Sequence, residues 1–387
     1  MAAATLAQYN PTTAGVKTPA QIDMLVKGTQ DMIIKRGELV NLMTDLTEYV
    51  GVNQLWKKHQ AAFDGGLDWE FDLLLDQNHT AKFVGLYQDD TANHVEATIK
   101  GKVGPKFLNA NYVYDVKEKA LQSNRAIVIY NFIKGKMSQM YQSWYDLMED
   151  AIWGAPAHKT DALTPYGLKF WITRMRAVDP STSMAYTASQ IANGGFFGID
   201  PQLATSAANS ALSDVSRAGI SSDSYPRWAN WATQYAAVTK DDLIRKMRRA
   251  FRSVDFKSPV TQVTEPTLGG ASRGIYVNLD TITELENLLE SQNMDLGNDI
   301  ASKDGKCMFK GYEVQYAPKL NDDAGAPVYL INWKTLALGV LSGWREKLSE
   351  PIIVPNQHDS RQVFLDNSMN MICTNLRTQA VISKSEA

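Results

Sequence analysis

Residues 94–123 read HVEATIKGKVGPKFLNANYVYDVKEKALQS. Through the first two thirds of this stretch apolar and polar side chains alternate, with Ile99, Val103, Leu108, Tyr112 and Tyr114 among the apolar ones, which is the two-residue period of a strand. From Lys117 the period lengthens to three and four: Ala126, Ile129, Ile133, Met137, Met140, Trp144, Leu147 and Ala151 fall on one face of a helix. Long strand thus passes almost directly into long helix. At ~1.5 Å per residue, a helix from 117 to about 153 is a rod of roughly 50 Å, well above average length, and Gly154 and Pro156 stop it. Upstream, LDWEFDLLLDQNHTAKFVGLYQDDTAN (67–93) also alternates, around Gly85 and the Asp89-Asp90 pair, so residues 63–115 are expected to form long β-ribbons. Such a ribbon carries too few large apolar residues for a core of its own, and few groups suited to chemistry.

On the N-terminal side, the stretch up to about Ala20 is small and polar with Pro11 and Pro19, and reads as a flexible arm. Ile22, Leu25, Ile33, Leu39, Leu42, Leu46 and Val50 then recur at helical intervals. On the C-terminal side, residues 180–225 are rich in Ser, Ala, Thr and Gly and read as irregular loops with a short helix near Ala207. Thr239 with Asp242 three residues on makes a capping box that opens DDLIRKMRRAFRSV. A strand, GIYVNLD, leads to a second helix, ITELENLLESQN, for which Thr281 and Glu284 are the expected cap. KCMFKGYEVQYAP is expected to turn back on itself at Lys310-Gly311, and PVYLINW, apolar on both faces, to be a central strand. The last segment, SRQVFLDNSMNMICTNLRTQAVISK, is again long strand with Arg361 and Arg377 among apolar neighbours.

Composition bounds the function. With 387 residues, 44% hydrophobic and 21% charged, the chain can build two or three domain-sized units around real cores. A net charge of −3 leaves no general basic excess for gripping phosphates. Two cysteines, Cys307 and Cys373, are too few for a disulfide framework and fit a reducing compartment. The start of the chain lacks the basic and apolar regions of a secretory leader, and no run reaches the ~18 apolar residues of a membrane span, so a cytoplasmic product with no membrane anchor is expected.

Gly270-Ala271-Ser272-Arg273-Gly274 matches the nucleophile pattern of a serine hydrolase, with His358 later in the chain. That motif needs a strand before the serine and a helix after it; here a Thr-Pro-Gly loop precedes and a strand follows, so a Gly-rich loop is the preferred reading of Ser272. The five histidines, His59, His79, His94, His158 and His358, have neither the spacing nor the cysteines of a metal set. Gly101-Lys102-Val103-Gly104 lacks the spacing and hydroxyl of a phosphate loop, and the sequon Asn78-His79-Thr80 means little without a secretory route. Lys246, Arg248, Arg249 and Arg252 form a basic cluster that reads as a solvated helix face. No catalytic residue, cofactor or metal is expected. What remains is a slender ribbon, a long helix and an arm, which cannot bury themselves within one subunit and so call for neighbours.

The order of these elements resembles that of a tailed-bacteriophage major capsid protein of the Hong Kong ninety-seven type. The resemblance rests on VKEKALQSNRAIVIYNFIKGKMSQMYQSWYDLMEDAIWG as a spine helix, and on FKGYEVQYAPKLNDDAGAPVYLINWKTLALGV and VPNQHDSRQVFLDNSMNMICTNLRTQAVIS as closing strands. It implies an α+β fold with an N-terminal arm and helix (1–62), an extended β-hairpin loop (63–115), a spine helix of the peripheral domain (116–160), an axial domain (161–340) with an insertion at 180–225, and return strands of the peripheral domain (341–387). It implies self-assembly into homo-pentamers and homo-hexamers of an icosahedral shell enclosing double-stranded DNA held loosely on the inner face, in a virion assembled in the host cytoplasm. Portal and scaffolding or decoration proteins are the implied partners. In this setting Asp89, Asp90, Lys100, Lys102, Lys106, Arg361 and Arg377 become candidate inter-subunit contacts, and Gly65, Gly66 and Gly135 candidate hinges. An encapsulin-like cargo shell shares almost every one of these features and stays as the alternative, ahead of a hydrolase.

Overall fold

The computed structural model describes residues 48–76, 81–86, 98–117, 126–175, 187–197, 199–255, 268, 273–292 and 307–385. The expected arm, most of the helix expected over 22–50, His79, His94, Asp89, Asp90 and Ser272 lie outside the described residues. The chain forms two compact units, one of residues 107–148 and 342–368, the other of residues 48–106, 149–341 and 369–387, as far as these are described.

The larger unit is organised by a mixed sheet. Its members, in spatial order, are β10 (Met308–Phe309), β11 (Tyr312–Tyr316), β9 (Arg273–Val277), β12 (Val328–Asn332), β17 (Ala380–Lys384), β8 (Trp231–Tyr235) and β5 (Gly195–Phe196). β12 is central and buried along its whole length, as its two apolar faces require, and it runs antiparallel to both β9 and β17. The β10–β11 hairpin turns at Lys310-Gly311 as expected; both residues have positive φ, 49° and 84°, and a glycine takes the second position without strain.

Helix α4 (Arg245–Ser253) continues a π-turn over Lys240–Ile244 and lays Leu243, Met247, Ala250, Phe251 and Val254 into the core of this unit. The Thr239 hydroxyl accepts from the Asp242 amide, the expected cap. The second half of the box is not formed: the Asp242 carboxylate instead accepts the amides of Ala236 and Ala237, at 2.7 and 3.0 Å. Helix α5 spans Leu279–Gln292, so it begins earlier than expected. Asn278 rather than Thr281 is its cap, because the Asn278 side-chain oxygen takes the Thr281 amide at 3.1 Å and leaves Thr281 buried in the first turn. The helix expected near Ala207 is the turn of a hairpin, β6 (Gln202–Ser206) with β7 (Asn209–Asp214). Local side-chain bonds such as Asn209 Oδ1 to the Ala211 amide compete with helix there, and a short helix forms earlier, at α3 (Ala188–Asn193).

A smaller sheet of the same unit pairs β1 (Gln60–Phe63) in parallel with β13 (Leu336–Leu341), and β13 antiparallel with the C-terminal residues of β16 (Ser360–Cys373). From its edge springs the ribbon of β2 (Trp69–Leu74) and β3 (Thr98–Val103).

The smaller unit is built on α1 (Ala126–Trp153), a 28-residue helix whose last residues, from Glu149, belong to the larger unit. Ile133, Met137, Met140, Trp144 and Met148 are its buried stripe; the face anticipated from the sequence holds as far as Trp144, after which the stripe steps by four to Met148 and Ile152 and leaves the expected Leu147 52% exposed. In the same unit β4 (Lys106–Asp115), β14 (Lys347–Leu348) and β15 (Ile352–Ile353) pair with the N-terminal part of β16, where Val363 and Leu365 are fully buried. A single helical turn, α2 (Leu168–Trp171), follows α1 in the chain and belongs to the larger unit.

Candidate assembly interface

The β2–β3 ribbon is paired in register from Trp69 opposite Val103 to Leu74 opposite Thr98, and no further strand joins it among the described residues. Its root is fixed. The Trp69 ring is buried, stacks on Phe63 at 4.6 Å and lies over Gly339, where a Cβ would sit 2.5 Å from the indole. The Lys102 amide donates to the Ala218 carbonyl at 3.0 Å, and the Asn370 side chain donates to the Gly104 carbonyl at 2.6 Å. Gly101 lets the Phe71 ring lie flat across the ribbon, since a Cβ there would come within 2.7 Å of it.

Beyond this root the chain alternates between covered and bare side chains, with Leu75 buried next to Leu74. Leu74 is 60% exposed, and beyond it Phe83, Val84 and Leu86 are exposed too, with Phe83 at 106% free of any cover. Leu67 joins them at the base. Phe83, Val84 and Leu86 lie outside both strands, and exposed apolar side chains of this size make a surface that water penalises and a neighbouring chain can cover. The run Phe83-Val84-Gly85-Leu86 carries this signal in the sequence, where the charged residues of the ribbon are the more conspicuous contact candidates.

Of those charged candidates, Lys100 and Lys102 meet Glu70 on the opposite strand, at 3.3 and 2.8 Å. Hydrogen bonds from these two ammonium groups, Lys102 first, hold the Glu70 carboxylate below its ordinary pKa. The trio pins the register of the ribbon itself. Lys106 donates to the Ala162 carbonyl and lies 5.5 Å from the centre of the Tyr166 ring. Arg377 places its guanidinium 4.9 Å over Phe196, and Arg361 sits on β16 opposite Ile353. Within the larger unit, Lys100 and Lys102 share one partner, while Lys106 and Arg377 each meet different ones. Gly65 and Gly66 lie between β1 and β2 with φ of 156° and 115°, and Gly135 lies in α1 with nothing within 4 Å of the point where a Cβ would stand. On α4, Lys246 pairs with Asp242 and Arg249 donates to Asn193, while Arg245, Arg248 and Arg252 face solvent.

Two buried polar centres in the larger unit have no counterpart in the sequence pattern. Arg217 is wholly buried in the loop that receives Lys102. It donates to the carbonyls of Trp171 (2.9 Å), Ile199 (3.2 Å) and Trp228 (3.1 Å), to Asn230 Oδ1 (3.2 Å) and to the Ser222 hydroxyl (2.7 Å). Desolvation brings its pKa down to about 10 against the opposing pull of Asp200, whose Oδ1 lies 4.0 Å from Nε. Glu149 is equally hidden: its carboxylate accepts the Gly51 and Val52 amides at 2.9 and 2.8 Å and the Trp153 indole at 2.7 Å. Its pKa is raised, because desolvation outweighs these bonds. His59 stacks on Trp333 at 4.9 Å, and burial together with the charge of Lys58 lowers its pKa to about 4. No group of three or more metal-ligating side chains occurs among the described residues.

No protein-family model matches the chain, and no curated protein matches it. Solved structures do. The capsid asymmetric unit of cyanophage A-1(L) aligns over 90% of this chain and 95% of its own, at 14% identity and a TM-score of 0.56. The mature capsid of bacteriophage PhiM1 aligns over 91% of each chain at 11% identity and a TM-score of 0.47. The SrpI encapsulin complex of Synechococcus elongatus PCC 7942 aligns over 91% of this chain and 95% of its own at 10% identity and a TM-score of 0.46. The likeness to the cyanophage subunit, which extends over nearly the whole of both chains, identifies the α+β architecture described above as the phage capsid fold of the Hong Kong ninety-seven type.

Proposed function

We propose that this chain is the major capsid protein of a tailed bacteriophage, a shell subunit that forms homo-pentamers and homo-hexamers around packaged double-stranded DNA. The observation that carries this reading is the β2–β3 ribbon, rooted by Trp69, Gly101 and Asn370, together with the exposed apolar side chains Leu74, Phe83, Val84 and Leu86 at and after the end of β2 in the chain. Lying over a neighbouring subunit would bury this apolar group and use the free strand edges. The phage capsid fold supports the assignment, because that fold has an extended loop at this place in the chain. In this reading α1 is the spine helix, residues 161–340 gather around the capsomer axis, and Gly65, Gly66 and Gly135 absorb the difference between pentamer and hexamer. Arg361 and the residues at 89 and 90 contribute to contacts between copies. The weak net charge of −3 suits a wall that encloses DNA and holds it loosely. Portal and scaffolding or decoration proteins complete the particle, which is assembled in the host cytoplasm; catalysis has no part in this function.

Negative-stain electron microscopy tests it on the protein expressed alone and together with its neighbouring genes. Closed shells or capsomer-sized rings are expected in at least one sample. A monomer in both would overturn the proposal, and shells that enclose host enzymes and never DNA would assign the chain to the cargo-shell class.

A further inference from the structure

Beside β12 and β17 in the larger unit lies a cavity of about 270 Å³ with Lys169, Arg174, Asp200, Tyr329 and Lys384 on its wall. Its charges do not balance. Asp200 is taken up by Arg217 and by the Ser221 hydroxyl and Ser222 amide. Asp323, adjoining the cavity, is a single carboxylate held between two cations, Lys169 at 3.1 Å and the Arg174 guanidinium. Lys384 has no carboxylate partner among the described residues. One cation of the Asp323 group is thus left uncompensated, and Lys384, which shares a second pocket with Asp280 and Glu284, makes no ion pair beside it.

Two further features are independent of this count. The Tyr329 side chain is completely buried, faces the charge of Arg174, and its hydroxyl makes no hydrogen bond of ordinary geometry. Gly325 leaves room for the Arg174 fork: a Cβ there would fall 2.1 Å from Nη1. A buried hydroxyl without an acceptor is costly, and a guanidinium aimed past a glycine with only part of its fork in use is a ready donor.

We propose that this cavity binds a small phosphate-class oxyanion. The anion offsets the surplus cation of the Asp323 group, and its oxygens accept from the remaining Arg174 N–H groups, the Lys384 ammonium and the Tyr329 hydroxyl, while Asp323 holds the guanidinium in place. Binding involves no covalent step and does not depend on shell formation.

The test uses the full-length chain and inorganic phosphate at constant ionic strength, with chloride as the balancing anion. Phosphorus NMR of free phosphate reports binding by line broadening, and thermal unfolding reports it by a saturable rise in Tm that chloride does not produce. Lys384→Gln changes an exposed side chain with no ion partner and leaves the fold intact; Gly325→Ala displaces the Arg174 fork. Each is expected to weaken phosphate at least about tenfold, the worth of one charge-assisted hydrogen bond. Absence of a saturable response in the unaltered protein overturns the proposal, and so does a response that both variants leave unchanged.

Discussion

Replacing Arg217 by methionine keeps most of the side-chain volume and removes the guanidinium. Five hydrogen bonds disappear, and the Trp171 carbonyl, whose bond to Nη1 is 2.9 Å, is left facing a thioether. Asp200 keeps the Ser221 hydroxyl and the Ser222 amide but loses its cation, in a place where its own side chain is almost wholly buried. Removing one partner of a buried ion pair costs about 3–5 kcal/mol, mostly the penalty on the charge left behind, which is a large part of the about 5–15 kcal/mol that holds a typical domain folded. Arg217→Met is therefore expected to lower the unfolding free energy by about 3–5 kcal/mol, read by urea denaturation with tryptophan fluorescence, since Trp171 and Trp228, whose backbone carbonyls accept from the guanidinium, are buried in the folded state. Adding Asp200→Asn should return at least about 1 kcal/mol, because the second change removes the stranded charge. Hydrogen exchange at the Lys102 amide should quicken in the single variant, as its acceptor, Ala218, is the residue after Arg217. A loss of less than about 1 kcal/mol, or a double variant weaker than the single by the full cost of a second lesion, would refute this account of the loop.

His59 gives a pH dependence with a definite sign. Its folded pKa of about 4 lies below the ordinary 6.5, so its contribution is complete above pH 6.5 and is lost as the pH falls toward 4, by up to about 3 kcal/mol; His59→Phe, which keeps a ring against Trp333, should lack this step in a pH series of denaturation curves. Gly135→Ala meets no atom within 4 Å and should raise stability by up to about 1 kcal/mol; if residue 135 is a hinge, electron microscopy will show fewer closed shells, and normal shells would end that assignment. Phe83→Ser with Leu86→Ser should leave the denaturation midpoint of the unassembled chain unchanged while abolishing shells, whereas a large fall in that midpoint would mean these side chains pack within their own subunit.

The elements that can be read in the sequence are those specified over short distances. The two-residue alternation around Ile99 and Val103, the helical spacing of Met137, Met140 and Trp144, the two apolar faces of β12 and the Lys310-Gly311 turn each depend on neighbours within a few positions. Asn278 escapes notice as a cap because Thr281 and Glu284 offer an equally good local pattern one turn later, and only the end of β9 decides between them. Arg217 and Glu149 give no signal at all. An arginine in a Ser-rich loop and an acid near a helix end are ordinary surface residues until the fold brings Trp171 and Gly51 to them, 46 and 98 positions away. The exposed apolar residues Phe83, Val84 and Leu86 are present as residue types, but their meaning comes from exposure, which no local period encodes.

The Glu149 clamp also has a mechanical side. Tension on the chain ahead of Gly51 reaches the last turns of α1 through two short backbone-to-carboxylate bonds, backed by the Trp153 indole, before it can peel away residues 50–58. Both amides grip the same carboxylate, one at each oxygen. The start of the described chain is thereby tied, through one carboxylate, to the last turns of the longest helix among the described residues, so that losing Glu149 would free both amides at once.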